Sequence, residues 1–341
     1  MTLPIRVLMV TSDWLWNSWG GPAVFIARQA AFLEREGVEV ELFPFKGSRR
    51  PGNYVAAWKE VHRRIEEGGY DLVHAQFGQS GLTALPSHLP LVVTFRGDDL
   101  EGIIGENGRY IASGWLLRQL SRFVARRAAA VIVVSDHMRR YLPSSVAAHV
   151  IPSGLDLELF RPEPRDLVRR RLGLPLDERL VLFVGNPALA RKRYGLAVEA
   201  MEIVNRRLAA RLMVGWERTH QEIATLMNAC DALLCTSMQE GSPNAVKEAL
   251  ACNLPVVSVA VGDVPLRLRG LSGCELCPDD GAETIAAAIT RVLQRGTRID
   301  GRPAVQDLDE RLLTRRLIEV YRSVVPAQRA AVHQPALVQA V

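Results

Sequence analysis

The residues most capable of chemistry lie between Asp231 and Glu248. Ala232-Leu233-Leu234-Cys235 is an apolar run too short for a helix, so it reads as a buried strand, with Thr236 to Gly241 as the loop that follows. Ser242 suits an N-cap and Pro243 the first helical position, and Asn244 to Cys252 continue without a breaker. Backbone N–H groups at such a start have no partner inside the helix and sit at the positive end of its dipole. Gly241, Ser242, Pro243 and Asn244 therefore mark an anion site suited to a phosphate or diphosphate, although Pro243 itself donates nothing. Glu240 precedes this site and Glu248 lies about two turns along. Two carboxylates flanking a diphosphate can accept hydrogen bonds from sugar hydroxyls, one on a transferred sugar and one on a nucleotide ribose. On spacing alone the plainer reading is a solvated Glu240 and a Glu248 that pairs with Lys247 or faces water.

Arg191-Lys192-Arg193 is the matching cation group. It follows the apolar run Leu180 to Gly185 and the pair Asn186-Pro187, and it precedes a helix from Tyr194. Three adjacent cations are usually a solvated face, yet this loop would set them opposite Ser242. Gly20-Gly21-Pro22 lies between the first strand and the first helix, where glycines let backbone approach a ligand; it is not G-x-G-x-x-G, so the dinucleotide fingerprint is missing. His74, Gln76, Arg96, Asp98, Asp99 and Ser135 fall at or just after strand ends. A lone His in a strand is commonly a hydrogen-bonded core residue, and Arg96 can pair with Asp98 or Asp99. Adjacent aspartates point in different directions, and Cys274/Cys277 is a lone CxxC without a second pair or a nearby His, so no metal is expected.

The elements that must position these groups alternate. Strand-like runs at Ile5 to Val10, Val38 to Phe43, Asp71 to Ala75, Leu91 to Phe95 and Ala130 to Val134 are separated by helical patterns at Ala23 to Glu36, Tyr54 to Glu67 and Trp115 to Arg127. A second series runs through Leu180, Ala232, Val256 to Val259 and a helix at Thr284 to Leu293. Alternation of this kind implies parallel, doubly wound sheets with ligands at the carboxyl ends of the strands. A length of 341 residues fits two domains of about 150 residues. Leu308, Leu312, Leu313, Leu317, Val320 and Tyr321 recur at helical spacing in a last helix, and little periodicity follows Ala327.

Composition excludes several classes. With 48% hydrophobic and 23% charged residues the chain is globular, and no segment reaches the roughly 20 apolar residues of a membrane span. No secretory leader is read at the start, so a cytoplasmic location is expected, with five reduced cysteines in the second half. A net charge of +5 without an arginine-rich arm gives no reason to expect nucleic acid. Arg118, Arg122 and Arg126 recur every four residues on a helix; a solvated face is the first reading, and peripheral contact with an anionic membrane carrying a lipid-linked acceptor is the other.

The string EGSPNAVKEALACNLPVV resembles the E-x7-E signature of glycosyltransferase family 4, retaining GT-B enzymes that use nucleotide-sugar donors. VHAQFG and TFRGDD resemble that family's H-x-H and T-x-H-G-x-D segments, with Gln76 and Arg96 where histidines are frequent, and IPSGLD resembles its I-P-N-G-V-D junction. The resemblance implies two facing Rossmann-like domains, an acceptor domain at 1–158 and a donor domain at 159–310, then a crossing helix at 311–326 and a flexible tail at 327–341. It implies Glu240 on the sugar, Glu248 on the ribose, and Gly20, Gly21 and Lys192 on the diphosphate. Asn186 replaces an arginine there, so Arg191 or Arg193 would supply the charge. Arg96, His74, Lys192 and Glu240 are the catalytic candidates, and a hydroxyl compound is the acceptor. No cofactor is expected beyond the nucleoside diphosphate sugar itself. A nucleotide-sugar epimerase of the same two-domain shape is the alternative, and a two-domain binding protein is a third reading.

Overall fold

Val7 and Met9 point to one side of the first strand and Leu8 and Val10 to the other, and all four are fully buried. Such a strand must be covered on both faces, as in a parallel sheet with crossover helices. The computed structural model describes residues 4–12, 14–15, 21–22, 24–47 and 50–325. Gly20 and the tail at 327–341 lie outside them.

In chain order, β1 (Arg6–Thr11) is followed by a short antiparallel ribbon, β2 (Trp14–Leu15) and β3 (Gly21–Pro22), in which Gly21 pairs with Leu15. Then come α1 (Val24–Arg35), β4 (Glu39–Pro44), α2 (Pro51–Glu67), β5 (Leu72–Gln76), α3 (Gly78–Leu82), β6 (Leu91–Phe95), α4 (Asp98–Glu101), α5 (Ala112–Arg127), β7 (Ala130–Val133) and β8 (His149–Val150). These strands form a parallel sheet in the order β4-β1-β5-β6-β7-β8.

The second half begins with α6 (Arg165–Leu172) and β9 (Arg179–Val184), then α7 (Tyr194–Asn205), β10 (Ala210–Gly215), α8 (His220–Ala229), β11 (Ala232–Cys235) and α9 (Asn244–Ala251). It closes with β12 (Val256–Ser258), α10 (Val264–Arg267), β13 (Glu275–Leu276), α11 (Ala282–Arg295) and α12 (Glu310–Val324). Its sheet is parallel in the order β10-β9-β11-β12-β13. Thr219 caps α8 through a reciprocal capping box with Glu222.

Helix α12 leaves the second sheet and lies on α1 beside the first. Tyr321, fully buried, hydrogen-bonds His74 at 2.7 Å, and Arg316 donates to the Val150 carbonyl at 2.8 Å. Leu313, Leu317, Val320 and Tyr321 are buried as the periodicity predicts, whereas Leu312 is 47% exposed. Leu312 and Leu313 are adjacent, so a 100° step turns one of them to solvent. One apolar core runs from Val7 and Met9 through this helix into the second sheet; Leu8 and Val10 belong to a separate core on the other face, which takes in Val61 and Val124. All five cysteines are free thiols, and all but Cys274 are buried.

Candidate active site

A cleft of about 820 Å³ runs between the carboxyl ends of the two sheets. Its second-sheet wall starts at Gly185, just past β9, whose φ of +147° favours glycine and whose missing side chain leaves room for the Lys192 stem at 3.3 Å. The loop is pinned to its neighbour: Thr236 donates its hydroxyl to the Lys192 carbonyl at 2.8 Å, and the Met238 N–H donates to the Arg191 carbonyl at 2.9 Å.

The loop cations then diverge. Lys192 Nζ donates to Glu240 Oε1 at 2.5 Å, and Arg191 reaches the same oxygen at 3.5 Å and Asp98 at 3.8 Å. Arg193 has φ +50° and turns away, its guanidinium held by the Thr236 carbonyl at 2.6 Å and by Asp280. It does not line the cleft, so its expected place on the diphosphate is corrected; the left-handed residue that starts α7 rotates the side chain out. Asn186 does line the cleft, but its side-chain oxygen accepts the Ala188 N–H at 2.9 Å and shapes the loop.

Helix α9 starts at Asn244, with Pro243 as the N-cap and no side-chain cap, so the expected N-cap Ser242 lies one residue before. Its hydroxyl donates instead to Asp263 at 2.9 Å. Glu240, Gly241, Ser242, Pro243, Asn244 and Glu248 all line the cleft. Asn244 Oδ1 is buried without a partner, and the Glu248 carboxylate has no hydrogen-bond donor among the described residues. The pairing of Glu248 with Lys247 does not form: Lys247 Nζ donates to the Ser153 carbonyl at 3.0 Å. Burial pushes the Glu248 carboxyl up, against the opposing charges of Arg28 and Lys247. At Glu240 burial also pushes upward, but Lys192 and Arg191 outweigh it and hold the carboxyl below its ordinary value.

The first-sheet wall is built differently. Arg96 lines the cleft, yet its guanidinium donates to Gln76 Oε1 at 2.7 and 3.0 Å and to the Ser153 hydroxyl at 2.7 Å, with its plane over Phe25. His74 is fully buried between Tyr321 and Thr94, both at 2.7 Å, and does not line the cleft. Its catalytic assignment is corrected to a structural one: burial, then the Arg96 charge, lower its pKa to about 3, so the imidazole is neutral. Asp99 accepts the N–H groups of Gly78, Arg96 and Gly97 at 3.0 to 3.2 Å, while Asp98 faces the cleft. The adjacent aspartates do point apart. No group of three His, Cys, Asp or Glu among the described residues could hold a metal.

The walls touch at Gly241. A side chain there would meet the Arg96 carbonyl at 2.2 Å, which explains a glycine after Glu240. Gln239 donates across to the Gly102 carbonyl at 2.8 Å. Gly154 of the junction is likewise required by contact: a Cβ would fall 2.4 Å from the Glu310 carboxyl.

Several site residues escaped the sequence reading. Trp216 and Arg218 line the cleft from the short β10–α8 link, and His220 and Ile223 from the first turn of α8. Their signal was position, since the link follows the carboxyl end of a strand. Arg28 gave none: from α1 it binds Glu310 at 2.9 Å, the Gly154 carbonyl at 2.7 Å and His220 at 3.3 Å.

Comparison with known proteins fits this geometry. The model for Glycosyltransferase Family 4 matches residues 19–159, and that for Glycosyl transferases group 1 matches residues 178–295. A putative teichuronic acid biosynthesis glycosyltransferase, TuaC, from Bacillus subtilis is 28% identical over 69% of this chain and 67% of its own length. Sucrose-phosphate synthase from Thermosynechococcus elongatus has a similar structure, with a TM-score of 0.79, 20% identity and 94% and 98% coverage of the two chains. Anabaena HepE, solved in complex with UDP-glucose, gives a TM-score of 0.67 at 18% identity, covering 94% of this chain and all of its own. With both halves matched by glycosyltransferase models and two parallel-sheet domains facing across a cleft, the chain is a glycosyltransferase of GT-B fold.

Proposed function

We propose that this glycosyltransferase moves a sugar from a nucleoside diphosphate sugar to a hydroxyl acceptor with retention at the anomeric carbon. The observation that carries the reading is the convergence of Lys192 and Arg191 on Glu240 in the cleft that the α9 start also lines. Cations and backbone N–H groups so placed stabilise the charge that develops on a departing diphosphate, which is electrostatic catalysis. With that charge met by protein groups, the reaction needs no metal ion. Glu240, held ionised by its cations, accepts from the sugar hydroxyls, and Glu248 accepts from the ribose. Structures of HepE with UDP and with UDP-glucose make a uridine nucleotide a reasonable first donor.

Arg96 takes the acceptor side. Its bonds to Gln76 and Ser153 fix the guanidinium, so it acts as a positioned charge and does not exchange a proton. Among the described residues no helix is long and apolar enough to cross a membrane. The test is a panel of nucleotide sugars screened for thermal stabilisation, then for turnover with hydroxyl acceptors. A donor at about 100 times its dissociation constant adds roughly 2.7 kcal/mol. Sugar consumption that depends on an acceptor supports transfer; isomerisation of the donor alone contradicts it.

A further inference from the structure

Helix α5, ASGWLLRQLSRFVARR, contains no acidic residue. Gly114, Ser121, Val124 and Ala125 bury one face against the first domain. The opposite face displays Trp115 at 63% exposure, Leu116 at 54%, Phe123 at 42% and Leu120 at 36%. Single exposed apolar residues are ordinary, but four large ones on one helical face form a patch. Arg126 and Arg127 continue that face and are exposed, and Arg127 lies 5.0 Å over the Phe123 ring. Among the described residues no carboxylate pairs with Arg122, Arg126 or Arg127. Arg118, grouped with them by spacing, turns inward to the Leu100 and Glu101 carbonyls.

An apolar stripe whose charged neighbours on the helix are all arginines fits one kind of surface, a bilayer with anionic headgroups. Apolar side chains enter the headgroup boundary while guanidinium groups meet lipid phosphates. A second copy of the same face would cover the stripe but offer the arginines no counter-charge. We propose that α5 docks the enzyme on membranes containing anionic phospholipid, through Trp115, Leu116, Leu120 and Phe123 with Arg126 and Arg127. Leu117 of the same helix lines the cleft, so docking would hold the cleft close to the bilayer. That a lipid-borne acceptor then enters the cleft rests on the transfer reading; docking does not.

The full chain is co-sedimented with vesicles of phosphatidylcholine alone and of phosphatidylcholine mixed with phosphatidylglycerol, at low and at raised salt. Binding is expected to the mixed vesicles only, and to weaken with salt. Each arginine near such a surface is worth about fivefold in partitioning, so Arg126→Glu with Arg127→Glu should cut binding at least about tenfold. Leu116→Ser with Phe123→Ser should do the same, and both double variants should keep the wild-type melting temperature and turnover on a soluble acceptor. Equal binding to both vesicle types, or to neither, overturns docking. So does a dimer in light scattering that Leu116→Ser with Phe123→Ser returns to monomer. Loss of donor turnover with vesicle binding intact would count against the transfer reading alone.

Discussion

The two walls of the cleft use their polar groups in opposite ways. On the first-sheet wall Arg96 and Asp99, with Gln76 and His74 behind them, bond to one another or to neighbouring backbone and side chains, and among the described residues Ser12 Oγ and Gln79 Oε1 are the cleft-lining atoms there left buried without a partner. On the second-sheet wall Asn244 Oδ1 and the Glu248 carboxylate have no hydrogen-bond partner among the described residues, and Lys192 and Arg191 converge on Glu240. Buried polar groups without partners are costly, so a fold retains them where a ligand supplies the partner. Under the proposed function the second sheet recognises the diphosphate and ribose, and the first sheet supplies rigid positioning.

The largest effect should come from breaking the second wall. Lys192→Ala should cost roughly 3 kcal/mol in the transition state, about a hundredfold in turnover, by analogy with a lost oxyanion-hole donor. Steady-state kinetics with donor saturating would show it; unchanged turnover and donor affinity would reduce the cation loop to a solvated surface. Asn186→Arg should partly rescue that variant, because Asn186 lines the same cleft.

A break in the core behind the first wall should be read in stability instead. His74→Ala leaves the Thr94 and Tyr321 hydroxyls unpaired, and denaturant melts should show a loss of about 2 kcal/mol with turnover retained. The pH dependence has a definite sign. The folded pKa of His74 lies at about 3, below its ordinary 6.5, so the unfolded chain binds the proton first. Stability from the neutral ring is fully present above 6.5 and is lost as pH falls from 6.5 toward 3. His220, lowered to about 4 by burial and then by Arg28, acts in the same direction. His74→Gln should therefore flatten the acid limb in part; an unaltered limb would contradict the assignment.

Smaller effects separate the neighbouring arginines. Arg191→Ala should slow turnover several-fold, since Arg191 faces Glu240, whereas Arg193→Ala should change turnover less than about twofold. Equal losses from both would erase the distinction between cleft and outward cations. The smallest expected effect is that of chelation: activity should survive EDTA, and complete loss restored by one divalent ion would contradict the metal-free scheme.

Both sheets were legible because parallel strands buried on two faces leave continuous apolar runs, and Leu91 to Phe95 matches β6 residue for residue. The start of α9 was legible to within one residue because Pro243 and the good helix formers after it are local signals. What remained hidden depends on packing across long stretches of sequence. His74 reads as a catalyst or a core residue until Tyr321, far along the chain, is placed against it. Arg193 looks equivalent to Lys192 until one left-handed φ turns it outward. Arg28 is one helical arginine among many, and only the fold brings it to Glu310, Gly154 and His220.

The central claim, that the second sheet holds the nucleotide, is tested most directly by calorimetry of nucleoside diphosphates with the wild type, Glu248→Ala and Glu240→Ala. A carboxylate accepting from ribose hydroxyls is worth about 1.5 kcal/mol or more, so Glu248→Ala should bind the free nucleotide at least about tenfold more weakly. Glu240→Ala should keep that affinity, because the transferred sugar is absent from the ligand. Wild-type nucleotide affinity in Glu248→Ala would contradict the account.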